Sequence, residues 1–126
     1  MVADFVNTQK KFINSTLSIT QINIIFAHLD WIAMFSKVTL EGFIIIPKED
    51  MATVMRELPE HIALTRKEPG CLLFNVTQDQ HNMAQLNVFE EYASPAAFEQ
   101  HQLRVKSSKW GDMTKHIKRH YKIDGL

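Results

Sequence analysis

The chain lacks most of the features that announce specialised chemistry. One cysteine in 126 residues excludes an internal disulfide and suits a reducing compartment, so the expected location is the cytoplasm. Acidic and basic side chains balance at 14 each, which removes the strong overall field by which a protein gathers nucleic acid. Metal-ligand clusters and nucleotide loops are also missing around the residues singled out below. What remains is an ordinary apolar share of 45%, enough in a chain of this length for one core but hardly two.

Charge is nevertheless uneven. Between Arg104 and Lys122 stand Arg104, Lys106, Lys109, Lys115, Lys118, Arg119 and Lys122, opposed by Asp112 alone. With only Trp110 and Tyr121 as stacking aromatics, this stretch reads as a solvated face or a lysine-guarded sheet edge, and no nucleic acid partner is expected. Cys71 opens the apolar run Cys71-Leu72-Leu73-Phe74, where a small core residue fits better than a nucleophile. His116-x-x-x-His120 has metal-compatible helical spacing, but Ile117 stands where the His-Glu-x-x-His pattern needs its acid, so no metal is expected.

Residues 1–33 differ from the rest, with few charges and many Asn, Thr, Ser and Gln residues. Their apolar positions Ile19, Ile22, Ile25, Phe26, Leu29 and Ile32 recur at helical spacing, which predicts an accessory helix or an upstream addition. Lys10 and Lys11 precede this stretch in the manner of a signal peptide, yet its longest pure apolar run is Ile24 to Ala27. That is too short for a secretory core or a membrane span, and no membrane association is expected.

The second unit, residues 34–126, alternates strand and helix patterns. Val38 to Ile46 is rich in branched and aromatic residues and stops at Pro47, predicting a first strand. Glu49 to Lys67 carries Met51, Val54, Met55, Leu58, Ile62 and Thr65 on one helical stripe, with His61 at its margin. Pro59 inside this helix removes one backbone bond and predicts a kink. Pro69-Gly70 turns the chain into a second strand, Cys71 to Gln78. Asp79 to Asn82 closes a hairpin with a third strand, Ala84 to Glu91. Ser94-Pro95 caps a helix running to about Val105, with Phe98, His101, Gln102 and Val105 on its inner face. After a junction at Trp110-Gly111, Ile117, Tyr121 and Ile123 fit a last strand. The order predicts an α+β, ferredoxin-like four-stranded antiparallel sheet with both helices on one face. Neither face of the first strand is cleanly polar, which predicts a homodimer joined sheet to sheet.

The passage Arg66-x-Glu68-Pro69-Gly70-Cys71 and the pattern Glu90-x-Tyr92 with Ala97-Phe98 and His101 resemble the antibiotic biosynthesis monooxygenase family, particularly its small quinol monooxygenases. The likeness covers about Phe35 to Ile123. It implies a dimeric α+β barrel with a pocket between helices and sheet, and often oxygenation of phenols or hydroquinones without metal or flavin. Haem-degrading relatives use an asparagine, a tryptophan and a histidine; Glu41 within the first strand and Tyr92 at the end of the third depart from that set.

Such chemistry needs an apolar hollow, a base with a pKa near neutrality and stabilisation of a phenolate, which can pass one electron to oxygen and so act as its own cofactor. Histidine meets the pKa requirement best. His61 and His101 are the candidate bases, each open also to a structural reading as a buried, hydrogen-bonded ring. Glu90 shares a strand face with Leu86 and Val88, so its carboxylate must be paired or face the cavity. It would orient a histidine or form an ion pair with Arg66. Arg66 could instead steady an anionic substrate or bond helix-end carbonyls. Trp110 and Phe43, with Tyr92, would line a substrate pocket or simply fill the core. The expected partners are a small aromatic substrate and molecular oxygen, with no cofactor; an isomerase or a ligand-binding module on the same scaffold is the alternative.

Overall fold

The computed structural model describes residues 18–21, 23 and 36–126. Of the expected N-terminal helix, Ile19 to Gln21 and Asn23 are helical. The Ser18 hydroxyl accepts from the Gln21 amide at 3.2 Å, a local cap. Ile22, Ile25, Phe26, Leu29 and Ile32 lie outside the described residues.

Strand β1 (Val38–Ile45) is followed by a short 3-10 turn at Lys48–Asp50 and helix α1 (Met51–Arg66). A hairpin of β2 (Cys71–Gln78) and β3 (Gln85–Tyr92) leads to α2 (Pro95–Lys106), a short α3 (Lys109–Thr114) and β4 (Arg119–Asp124). The strands pair antiparallel in the order β2-β3-β1-β4, the ferredoxin-like arrangement.

Local chemistry explains most boundaries. The Asp79 carboxylate accepts the His81 and Asn82 amides at 2.9 and 3.0 Å, which folds the hairpin turn. Ser94 accepts from the Ala97 amide at 3.1 Å ahead of Pro95, the expected start of α2. Gly42 lets the edge strand close: a Cβ there would lie 1.9 Å from the His120 carbonyl oxygen. Pro59 sits within α1, which continues through it.

Three details differ from the sequence pattern. The α-helical part of the first helix starts at Met51, because residues 48–50 close tighter 3-10 bonds after Pro47. The third strand extends through Tyr92 while Ala84 falls outside it, since Tyr92 still pairs with Val38 and Cys71. Trp110-Gly111 is not a bare junction but lies in α3, capped by the Ser108 hydroxyl. In addition, His116 and His120 do not share a helix. His116 bonds Asp50 at 2.7 Å, whereas His120 lies in β4 and stacks on Phe43 at 4.6 Å.

Period-two alternation sorts the sheet residues. Val38, Leu40, Ile44, Phe74, Leu86, Val88, Glu90 and Tyr92 are buried on the face the helices cover. The opposite face carries Phe43, Phe89, Leu73 and Ile45 among Glu41, Asn75, Asn87 and His120. Among the described residues no helix is long and apolar enough to cross a membrane.

Candidate active site

Helix α1 brings His61 onto the sheet within the buried row Val54, Leu58, His61 and Thr65, not at the margin of that row. Its ring stacks on Trp110 at 4.6 Å with 5° between planes and meets the edge of Phe74 at 5.4 Å. The buried Nδ1 has no hydrogen-bond partner among the described residues. Burial, with the neighbouring His101 and arginines, pulls the His61 pKa down to about 3, so the ring is neutral at ordinary pH.

His101 projects from α2 between two acids. Its Nδ1 lies 3.0 Å from Glu68 Oε2, and its Nε2 lies 3.5 Å from Glu90 Oε1. Glu90 in turn accepts the Tyr92 hydroxyl at 2.6 Å. Burial lifts the Glu90 carboxyl to about 7 despite that hydrogen bond, and nearby Glu68 pushes in the same direction. Burial and the adjacent Glu90 raise the Tyr92 phenol well above its usual range, while burial lowers His101 against the opposing pull of Glu68. Cys71 is likewise held up as a neutral thiol by burial.

These groups border a small interior cavity of about 30 Å³ lined by His61, Glu90, Phe74, Trp110, Arg119 and Tyr121 with apolar neighbours. Its tyrosine, Tyr121, has a phenol pushed up to about 12 by burial. On the outer side of the His61–Trp110 stack lies a surface cleft of about 280 Å³, with Leu64, Arg104, Ser108 and Lys109 on its walls. The stack is thus a partition between cleft and cavity. Among the described residues, no three His, Cys, Asp or Glu side chains are arranged to hold a metal ion.

Residues 38–111 match the family model for antibiotic biosynthesis monooxygenase. The chain belongs to this family. A proposed family member from Bacteroides thetaiotaomicron is 25% identical, with a TM-score of 0.59 over 72% of this chain and 87% of that one. A Pseudomonas aeruginosa protein is also 25% identical, with a TM-score of 0.55 over 72% of this chain and 92% of its own. A third, described as a proposed monooxygenase of Nitrosomonas europaea, shares the fold at 15% identity, with a TM-score of 0.55 over 71% and 86% of the two chains. No curated protein matches the chain.

Within this monooxygenase-family fold, the structure brings His61, His101, Glu90, Tyr92 and Trp110 together. Two other candidates lie apart. Phe43 is on the opposite sheet face, stacked on His120. Arg66 is not paired with Glu90; its guanidinium donates to the Phe74 carbonyl at 2.9 Å and pins α1 to β2. Two residues with no role assigned from sequence join the cluster. Glu68 holds His101, and Arg104 donates to Glu68 at 2.5 Å and to Thr65 at 2.9 Å. Arg104 follows His101 by three positions, so helical spacing on α2 already placed the two side by side.

The shifted groups set a pH signature for stability. His61, at about 3 when folded against an ordinary 6.5, contributes stability that is full above 6.5 and lost as pH falls toward 3. Glu90, raised from 4.5 to about 7, contributes stability that is full below 4.5 and lost as pH rises toward 7. The two slopes oppose between these limits, and the lowered His101 adds to the histidine side. Below about pH 4.5 the Glu90 slope has ended and the lowered Glu57 and Asp79 carboxyls act in the same direction as the histidines, each histidine proton contributing at most about 1.4 kcal/mol per pH unit. Urea titrations should show stability falling there. His61→Phe, which keeps an aromatic ring against Trp110, should make that acid limb shallower, and an unchanged limb would mean that His61 is not the titrating group.

Proposed function

We propose that this chain is a cofactor-independent monooxygenase that uses molecular oxygen on a small phenol or hydroquinone, with the His101–Glu90 pair as its base. The observation that carries this reading is a buried imidazole 3.5 Å from a carboxyl lifted to about 7, both beside an aromatic-walled cavity. A group titrating near neutrality can take a hydroxyl proton and still release it. The aromatic anion left behind is electron-rich enough to pass one electron to oxygen.

The interior cavity is water-sized, whereas ligand pockets typically span roughly 300–1,000 Å³. An aromatic substrate therefore requires the His61–Trp110 partition to part and join the cavity to the 280 Å³ cleft. Trp110 and His61 would then flank the ring, with Tyr92 holding Glu90 in place. The working unit in this proposal is a homodimer joined through the helix-free sheet face. Support comes from Phe43, Phe89 and the exposed Ile45 and Leu73 on that face. A monomer in sedimentation of the intact protein would remove this part of the reading.

Oxygen uptake with a panel of hydroquinones, in the presence of chelator and without flavin, tests the activity. Stoichiometric uptake with quinone formation is the expected result. Product without uptake would mark an isomerase, and saturable binding with no product a ligand-binding module.

A further inference from the structure

Glu68 occupies the turn after α1, where Pro69-Gly70 redirects the chain into β2. On one side it borders a surface hollow of about 410 Å³ walled by Pro69, Ala96, Ala97 and Gln100. On the other it touches His101 Nδ1 through both oxygens, at 3.1 and 3.0 Å. The far ring nitrogen faces Glu90, which borders the interior cavity. An acid at the surface, a buried imidazole and a buried acid thus stand in line.

We propose that Glu68, His101 and Glu90 form a proton relay between the surface hollow and the interior cavity, with Glu68 as the positioning residue that fixes the imidazole tautomer. This inference rests on the proposed monooxygenase site and adds the route by which its proton leaves and returns. Five titratable or charged groups face His101: His61 from α1, Glu68 from the turn, Glu90 and Tyr92 from β3, and Arg104 from its own helix. Of these, Glu68 is the one whose carboxylate accepts at Nδ1, and Arg104 anchors that carboxylate. With the proton on Nδ1, Nε2 is the ring's acceptor, 3.5 Å from Glu90 Oε1.

The transfer balances. Glu90 gives its O–H proton to Nε2 while the Nδ1–H bond breaks toward the Glu68 carboxylate, and Glu68 then releases that proton to water at the surface. Glu90 is left as the carboxylate that removes the substrate hydroxyl proton, and His101 stays neutral in the opposite tautomer. Oxygenation of a phenol to a quinone consumes one oxygen molecule and forms one water, so the borrowed proton is needed again at the departing oxygen. Running the relay inward supplies a proton to Glu90 and restores the starting tautomer. No net proton is gained or lost over the cycle.

Nitrogen-15 spectra of histidine-labelled, full-length protein across neutral pH test the relay directly. His101 should be neutral with its proton on Nδ1. In Glu68→Gln the single amide oxygen is claimed by Arg104, which turns the NH2 toward Nδ1 and should shift the ring toward the Nε2–H tautomer. A wild-type ring protonated mainly on Nε2, or a tautomer unchanged by Glu68→Gln, would overturn the proposal. With an oxidisable hydroquinone, Glu68→Gln should lower kcat roughly tenfold with KM unchanged, and Glu68→Asp should recover most of it. Equal kcat in wild type and Glu68→Gln would also overturn the relay. If no hydroquinone is oxidised, the monooxygenase reading fails on its own, and the nitrogen spectra still decide the relay.

Discussion

Replacing His101 by alanine should cut hydroquinone turnover by roughly a hundredfold or more while leaving KM nearly unchanged, as expected when a proton-transfer group is removed and the binding walls remain. The reason lies in what the imidazole separates. Glu68 and Glu90 reach it from opposite sides, and without the ring nothing carries a proton between them. Oxygen-uptake kinetics on the purified variant provide the measurement, with circular dichroism as the control for folding. Retained turnover in a folded His101→Ala protein would move the base elsewhere, and His61, neutral and without a partner at Nδ1 among the described residues, would be next to test.

Trp110→Ala should cost about 3–5 kcal/mol of stability, the usual range for removing a buried large aromatic side chain. The indole is only 8% exposed, packs in the cluster of Ile44, Ile46, Val54, Leu58 and Leu86, and supplies the flat face on which His61 stacks. Removing it also opens the partition between cleft and cavity. The variant should therefore bind bulkier phenols than the wild type, in addition to unfolding at lower urea. Trp110→Phe should recover most of the stability, because a ring still faces His61. A loss below about 1 kcal/mol for Trp110→Ala would mean that neighbouring side chains collapse into the space and the partition reforms.

These two predictions draw on different parts of the sequence. His101 was legible as a functional candidate because Phe98, His101 and Val105 repeat at helical spacing behind an unambiguous Ser-Pro start. Trp110 was legible only as an aromatic that would be wall or core. Its pairing with His61 joins helices separated by the whole hairpin, and no local pattern reports such a contact. Phe43 illustrates the same limit from the other side. Its strand showed no polar face, so its neighbours alone left it free to point either way, and the pairing of β1 with β3 and β4 turned it outward to His120.

Local sequence by itself determined the order of the four strands and the two long helices, the capped start of α2, the hairpin turn at Asp79, and the family, whose matched region spans residues 38–111. Those features rest on periodicity, turn chemistry and short motifs, which act over a few residues. Tertiary structure decided that Arg66 would hold a strand carbonyl and that Glu68 would hold His101. It also raised one carboxyl toward neutrality and left one histidine uncharged. Burial and charge proximity set those properties, and both exist only once residues remote in the chain have been packed against one another.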